Sequence, residues 1–168
     1  MKRSAVVICL LAFLLTTILT ACSNSSPLQE AMNDYSKIVE GDLPDDIRLT
    51  IYYLDPNILT RIPLSKDDLV TFPGVGIITV NSEELASCWE LLKELNPSIL
   101  HPVQEESYIN ARLYYVFEVG DSDKILEVVI NNIHGNAFVN GIEVEDNPIF
   151  YELIVPYLTE EGRITLGI

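Results

Sequence analysis

Two apolar stretches, ARLYYVFEV (111–119) and KILEVVI (124–130), are separated only by GDSD. A link that short cannot carry a crossover, so the two strands must pair antiparallel. The first alternates in polarity, as a strand with two different faces does. The second is apolar on both sides and belongs in the middle of a sheet. A little further on, Asn140-Gly141 stands between the short apolar runs AFV and IEV. This pair predicts a two-residue hairpin turn of type I′, in which both residues need positive φ.

The rest of the body extends this sheet. In DIRLTIYYL, Ile47, Leu49, Ile51 and Tyr53 fall on one face and Arg48, Thr50 and Tyr52 on the other, which predicts a half-buried strand. IITV (77–80) predicts a second strand. Between them, Ser65 and Asp68 mark the cap of a single helical turn. NSEELASCWELLKELNP predicts a helix, with Leu85, Cys88, Trp89, Leu92 and Leu95 on its apolar face and Pro97 closing it. Ahead of the first strand, Leu28, Met32, Tyr35 and Val39 recur at helical spacing behind Ser26-Pro27, predicting a helix over 27–40. NPIFYELIVPYL predicts a last helix, capped by Asn147 and interrupted by Pro156. RITLGI is expected to add an edge strand or to trail. The fold class is therefore α+β: an antiparallel sheet in the order ββ-α-ββββ, helices packed on one face, and a preceding N-terminal helix. Residues 27–168 form a single domain.

The first 21 residues have a different character. Lys2 and Arg3 precede eighteen uncharged residues, Ser4 to Ala21, that end in LTAC and are followed by SNSS. A charged start, an apolar middle and a small-residue end make a secretory signal segment of 1–21, with 22–26 as polar spacer. The run is also near the ~20 residues that span a bilayer, so an uncleaved anchor is the competing reading. LTAC resembles a bacterial lipobox, and the resemblance covers about the first 25 residues. It implies that the thiol of Cys22 receives a diacylglycerol, that a dedicated peptidase cuts just before it, and that the protein sits on the extracytoplasmic face of the cell membrane. Two acyl chains on one cysteine hold stably, whereas one alone is marginal. The body loosely resembles small lipoproteins of Gram-positive bacteria, a likeness that carries no functional residues over.

Charge narrows the partners. With Lys2 and Arg3 set aside, eight basic residues face 25 acidic ones, a net of about −17. Such a surface repels nucleic acid and favours a basic partner if any. Cys9 lies inside the signal segment and Cys22 at its end, so Cys88 is alone in the body and no disulfide forms within it. Cys88 is expected to be a buried, inert thiol. His101 and His134 share no metal-ligand spacing. The Asp121–Asp123 fragment lacks the glycine and distal glutamate of a calcium loop. Glu143–Asp146 reads as structural, beside a helix start. No cofactor, metal or catalytic motif is expected.

One constellation is a candidate site. Arg48 and Tyr52 share a face of the first strand, and Arg112, Tyr114 and Glu118 share a face of the third. If the faces align, tyrosine and arginine gather on the open side of the sheet, as at many binding surfaces. The leading expectation is a lipid-anchored, non-enzymatic binding or interaction module for a protein or small ligand. The alternatives are an envelope hydrolase using two acidic residues, and an acidic inhibitor or immunity-type protein that masks a basic partner.

Overall fold

A computed structural model describes residues 25–55, 57–104, 107–120, 123–131 and 135–168. The expected signal segment 1–21, Cys22, Asp121 and His134 lie outside the described residues. Six antiparallel strands form one sheet: β1 (Ile47–Tyr53), β2 (Gly76–Val80), β3 (Ala111–Val119), β4 (Asp123–Asn131), β5 (Ala137–Val139) and β6 (Ile142–Val144). Their spatial order is β2-β1-β3-β4-β5-β6. The α+β class and the ββ-α-ββββ order are as expected, and β3 and β4 lie at the centre.

The hairpin turn has the predicted form. Val139 pairs with Ile142, and Asn140 and Gly141 take φ of 47° and 84°. Asn140 does more than turn the chain. Its Oδ1 accepts the Glu127 N–H at 2.7 Å, and its Nδ2 donates to the Ala31 carbonyl at 2.7 Å. That second bond takes a carbonyl from the N-terminal helix. The expected helix over 27–40 is accordingly two helices, Pro27–Ala31 and Asn33–Val39, joined at Met32. Leu28, Met32, Tyr35 and Val39 are all buried in the main core. Tyr35 fixes the second of these helices by donating its hydroxyl to the Leu92 carbonyl at 2.6 Å.

The central helix also departs from a single run. It comprises Ser82–Leu85, a 3-10 turn over Ala86–Cys88, and Trp89–Glu94. Asn81 and Glu84 form a reciprocal capping box at its start. The Ser87 hydroxyl donates to the Glu84 carbonyl at 3.1 Å, a local bond that competes with α-helical pairing. The tightened turn keeps Leu85, Trp89, Leu92 and Leu95 in the core. It rotates Cys88 to a half-buried position, which corrects its expected place on the apolar face.

The C-terminal stretch is neither edge strand nor tail. Thr159 Oγ1 accepts the Gly162 N–H, and the helix Glu160–Leu166 ends at Gly167 in the left-handed conformation, with Leu166 buried. This helix docks through Tyr53. The Tyr53 ring covers Gly76 so closely that a Cβ there would lie 2.2 Å from its Cζ, and a Cβ on Gly162 would lie 3.4 Å from it.

Both faces of the sheet are covered. The main core lies on one side, under most of the helices. On the other, the chain between β1 and β2 folds back, and Leu54, Leu64 and Leu69 pack against Ala111, Tyr114, Val116, Val129 and Phe138. Its short helix, Lys66–Thr71, begins with the expected Ser65–Asp68 capping box. The expectation of an open second face is therefore corrected. Apolar residues on both faces of β3 and β4 require two layers of cover, and the β1–β2 connection supplies the second.

Candidate functional site

The register of β1 on β3 places Arg48 directly opposite Glu118 and Tyr52 directly opposite Tyr114. Both pairs make contact. Arg48 Nη2 lies 2.9 Å from Glu118 Oε2. The rings of Tyr52 and Tyr114 stack at 5.6 Å with planes 15° apart. The Tyr114 hydroxyl donates to Glu127 Oε2 at 3.4 Å, and Glu127 also holds Lys66 and Lys124. Burial first, and then the Glu127 charge, raise the Tyr114 pKa far above its ordinary value. This phenol therefore stays protonated at neutral pH. A shallow cleft of about 310 Å³ lies over the group, between Tyr52, Tyr114, Glu118, Lys124 and the Lys66–Thr71 helix.

Arg112 does not join this patch, which corrects the expected grouping. The β3–β4 register shifts between Ala111 and Leu113, so Arg112 sits in a bulge where side-chain direction changes. Its side chain is buried, only 5% exposed. It donates to the Ala111 and Ile58 carbonyls and to Thr60 Oγ1 at 3.3–3.4 Å. Its Nε is buried without a hydrogen-bond partner, and burial lowers its pKa. Arg112 thus anchors the loop after β1.

Within the remaining patch the charges face one another: Arg48 with Glu118, Lys66 and Lys124 with Glu127. Such pairs order the surface more than they activate any group. A carboxyl that serves as general acid near neutral pH needs a raised pKa. Asp68 and Glu143 are instead displaced downward. Among the described residues, no cluster of three His, Cys, Asp or Glu could hold a metal ion.

Glu143 belongs to a second constellation that its sequence context misplaces. It lies on β6 rather than beside a helix start, and it is buried. Ser107 donates to it through both N–H and Oγ at 2.6 Å, and Asn136 Nδ2 donates at 2.9 Å. Burial works to raise its pKa, but these bonds outweigh it and hold the carboxyl below its ordinary value. Along the same strand, Val103 N–H donates to the Glu143 carbonyl and Glu145 N–H to the His101 carbonyl. Asn131 completes the clamp, donating to Ser107 Oγ and to the Tyr108 carbonyl. Residues 101–104 and 107–110 are thereby strapped across the β6 edge.

That strap presents exposed apolar residues, and so does the loop anchored by Arg112. Leu59 is 94% exposed, Ile62 67%, Tyr108 91% and Ile109 36%. These are four of the six large exposed hydrophobics among the described residues. The two loops are bonded together, with Leu64 N–H donating to Asn110 Oδ1 and Ala111 N–H to the Leu64 carbonyl. A cleft of about 450 Å³ opens between Leu59, Ile62 and Phe72. The only trace of this feature in the sequence is apolar residues in turn-rich NILTRIP and SYIN, which no periodicity explains.

No protein-family model, curated protein or solved structure matches the chain. Among the described residues, no helix is long and apolar enough to cross a membrane.

Proposed function

We propose that the chain is a bacterial lipoprotein, held at the extracytoplasmic face of the cell membrane by diacylglycerol on Cys22, whose domain is a non-enzymatic interaction module. The observation that carries the reading is LTAC in full context: Lys2 and Arg3, an uncharged run, the cysteine, then SNSS. The described residues nearest to Cys22 support it. Ser26 Oγ accepts the Gln29 N–H and caps a helix whose first turn buries Leu28, so little slack separates Cys22 from the domain. Internal pairing of the charges around Tyr52 and Tyr114 favours binding over catalysis.

Mass spectrometry of the mature N-terminus tests the tether. The expected species begins at Cys22 and carries the mass of a diacylglycerol. Cys22→Ser leaves residues 1–21 attached and abolishes acylation. Recovery of unmodified Cys22 with Met1 still attached overturns the reading.

A further inference from the structure

We infer that the two apolar loops, bearing Leu59 with Ile62 and Tyr108 with Ile109, form a second contact with the bilayer to which the chain is tethered; this rests on the tether proposed above. The loops leave the same end of the sheet, since Tyr53 at the end of β1 pairs with Leu113 near the start of β3. Their tips are not the rim of a core. Leu59 and Tyr108 are almost wholly exposed, while the residues behind them are fixed by Arg112, Asn110 and Asn131. Rigid loops with projecting leucine, isoleucine and tyrosine suit a membrane interface, where tyrosine places its ring at headgroup level.

Charge and reach select a lipid surface as the occupant. Arg61 stands between Leu59 and Ile62 and is exposed. Lys37, Arg48, Lys66, Lys93 and Lys124 each hold a carboxylate, and Arg61 forms no ion pair among the described residues. Its neighbour across the cleft, Asp68, is occupied by the N–H and hydroxyl of Ser65. A free guanidinium between two apolar tips complements a lipid phosphate. The strongly acidic body repels anionic bilayers, so the contact works by insertion and one local cation, and neutral lipid suffices. The four chain steps from Cys22 to the Ser26 cap extend about 14 Å at most. A domain held that close rests some surface on the headgroups, and these loops carry four of the six large exposed hydrophobics among the described residues.

The test uses the full acylated protein reconstituted in neutral phosphatidylcholine vesicles. Leu59, Ile62, Tyr108 or Asp46 is replaced in turn by a photoreactive benzophenone side chain. Asp46 is the control because it is exposed beside Gly120, at the opposite end of the sheet and far along the chain from the tether. Lipid adducts from positions 59, 62 and 108 are expected to exceed those from 46 by about tenfold. Yields equal to the control, or adducts to a second copy of the chain in place of lipid, overturn the proposal. Leu59→Ser combined with Ile62→Ser leaves the core untouched and is expected to lower adduct yield at 108 by about tenfold; an unchanged yield refutes insertion. Mass spectrometry of the same sample reports Cys22 separately. An unmodified terminus sinks the tether alone, and adducts at 59 and 62 then decide the loop contact as before.

Discussion

Replacing Glu143 by Gln tests how the strap across β6 is held. The glutamate Oε1 accepts from Ser107 Oγ and Asn136 Nδ2, and Oε2 accepts from the Ser107 N–H. A glutamine has one acceptor oxygen. If that oxygen takes the Oε1 place, its NH2 meets the Ser107 N–H, a donor against a donor. If it takes the Oε2 place, its NH2 meets Asn136 Nδ2. At least one part-buried donor is left without an acceptor, which costs up to ~1–3 kcal/mol, and the surviving bonds lose their charge assistance. A loss of about 2–3 kcal/mol at pH 7 follows. In urea, with a slope of ~1.5–2 kcal/mol/M for a domain of this size, the midpoint falls by about 1–2 M. The full chain in mild non-ionic detergent, followed by the fluorescence of its one tryptophan, Trp89, reads this directly. The sign with pH is fixed. The carboxyl's folded pKa is displaced below its unfolded value, so its stabilisation is complete above the unfolded value and is lost as pH falls through the lower folded one. The gap between wild type and Glu143→Gln therefore closes as the carboxyl protonates in acid. A midpoint change under about 0.2 M, or a gap of the same size at acid and neutral pH, refutes the reasoning.

Three further outcomes follow from the same geometry. Gly76→Val places a Cβ within the Tyr53 ring, which must swing away and release the Glu160–Leu166 helix; the loss is about 2–3 kcal/mol, with limited proteolysis now cutting near Thr159. Asn140→Ala removes a residue that tolerates positive φ and two side-chain bonds. It costs about 2–4 kcal/mol and raises hydrogen exchange in the Pro27–Ala31 helix, where intact protection would count against the link. Arg112→Met removes a buried cation without a carboxylate and stays within about 1 kcal/mol of wild type; a loss above ~3 kcal/mol would show that its bonds to Ile58 and Thr60 outweigh its desolvation.

Several local features were legible because they depend on neighbours in the chain. The Asn140-Gly141 turn, the Ser65–Asp68 cap and the inward residues of the N-terminal helices are of this kind, whereas the opposition of Arg48 to Glu118 and Tyr52 to Tyr114 came only with the register of β1 on β3. The interruptions at Met32 and at Ala86–Cys88 were not legible. One depends on Asn140, 109 residues from the carbonyl it takes, and the other on a serine hydroxyl choosing a backbone partner. Arg112 was misplaced because a bulge at the start of β3 breaks the two-residue period on which the expected face depended.

By itself the sequence determined a charged start and an uncharged run ending in LTAC, and an acidic body with alternating strands that pair antiparallel. Periodicity and short links settle these because they act within a few residues. Only the tertiary structure decided that the second sheet face is covered, that Glu143 is buried in a clamp, and that Leu59, Ile62 and Tyr108 share one end of the molecule. Those facts depend on which distant segments meet, and burial and register across a sheet are properties of the packed chain rather than of any one stretch of it.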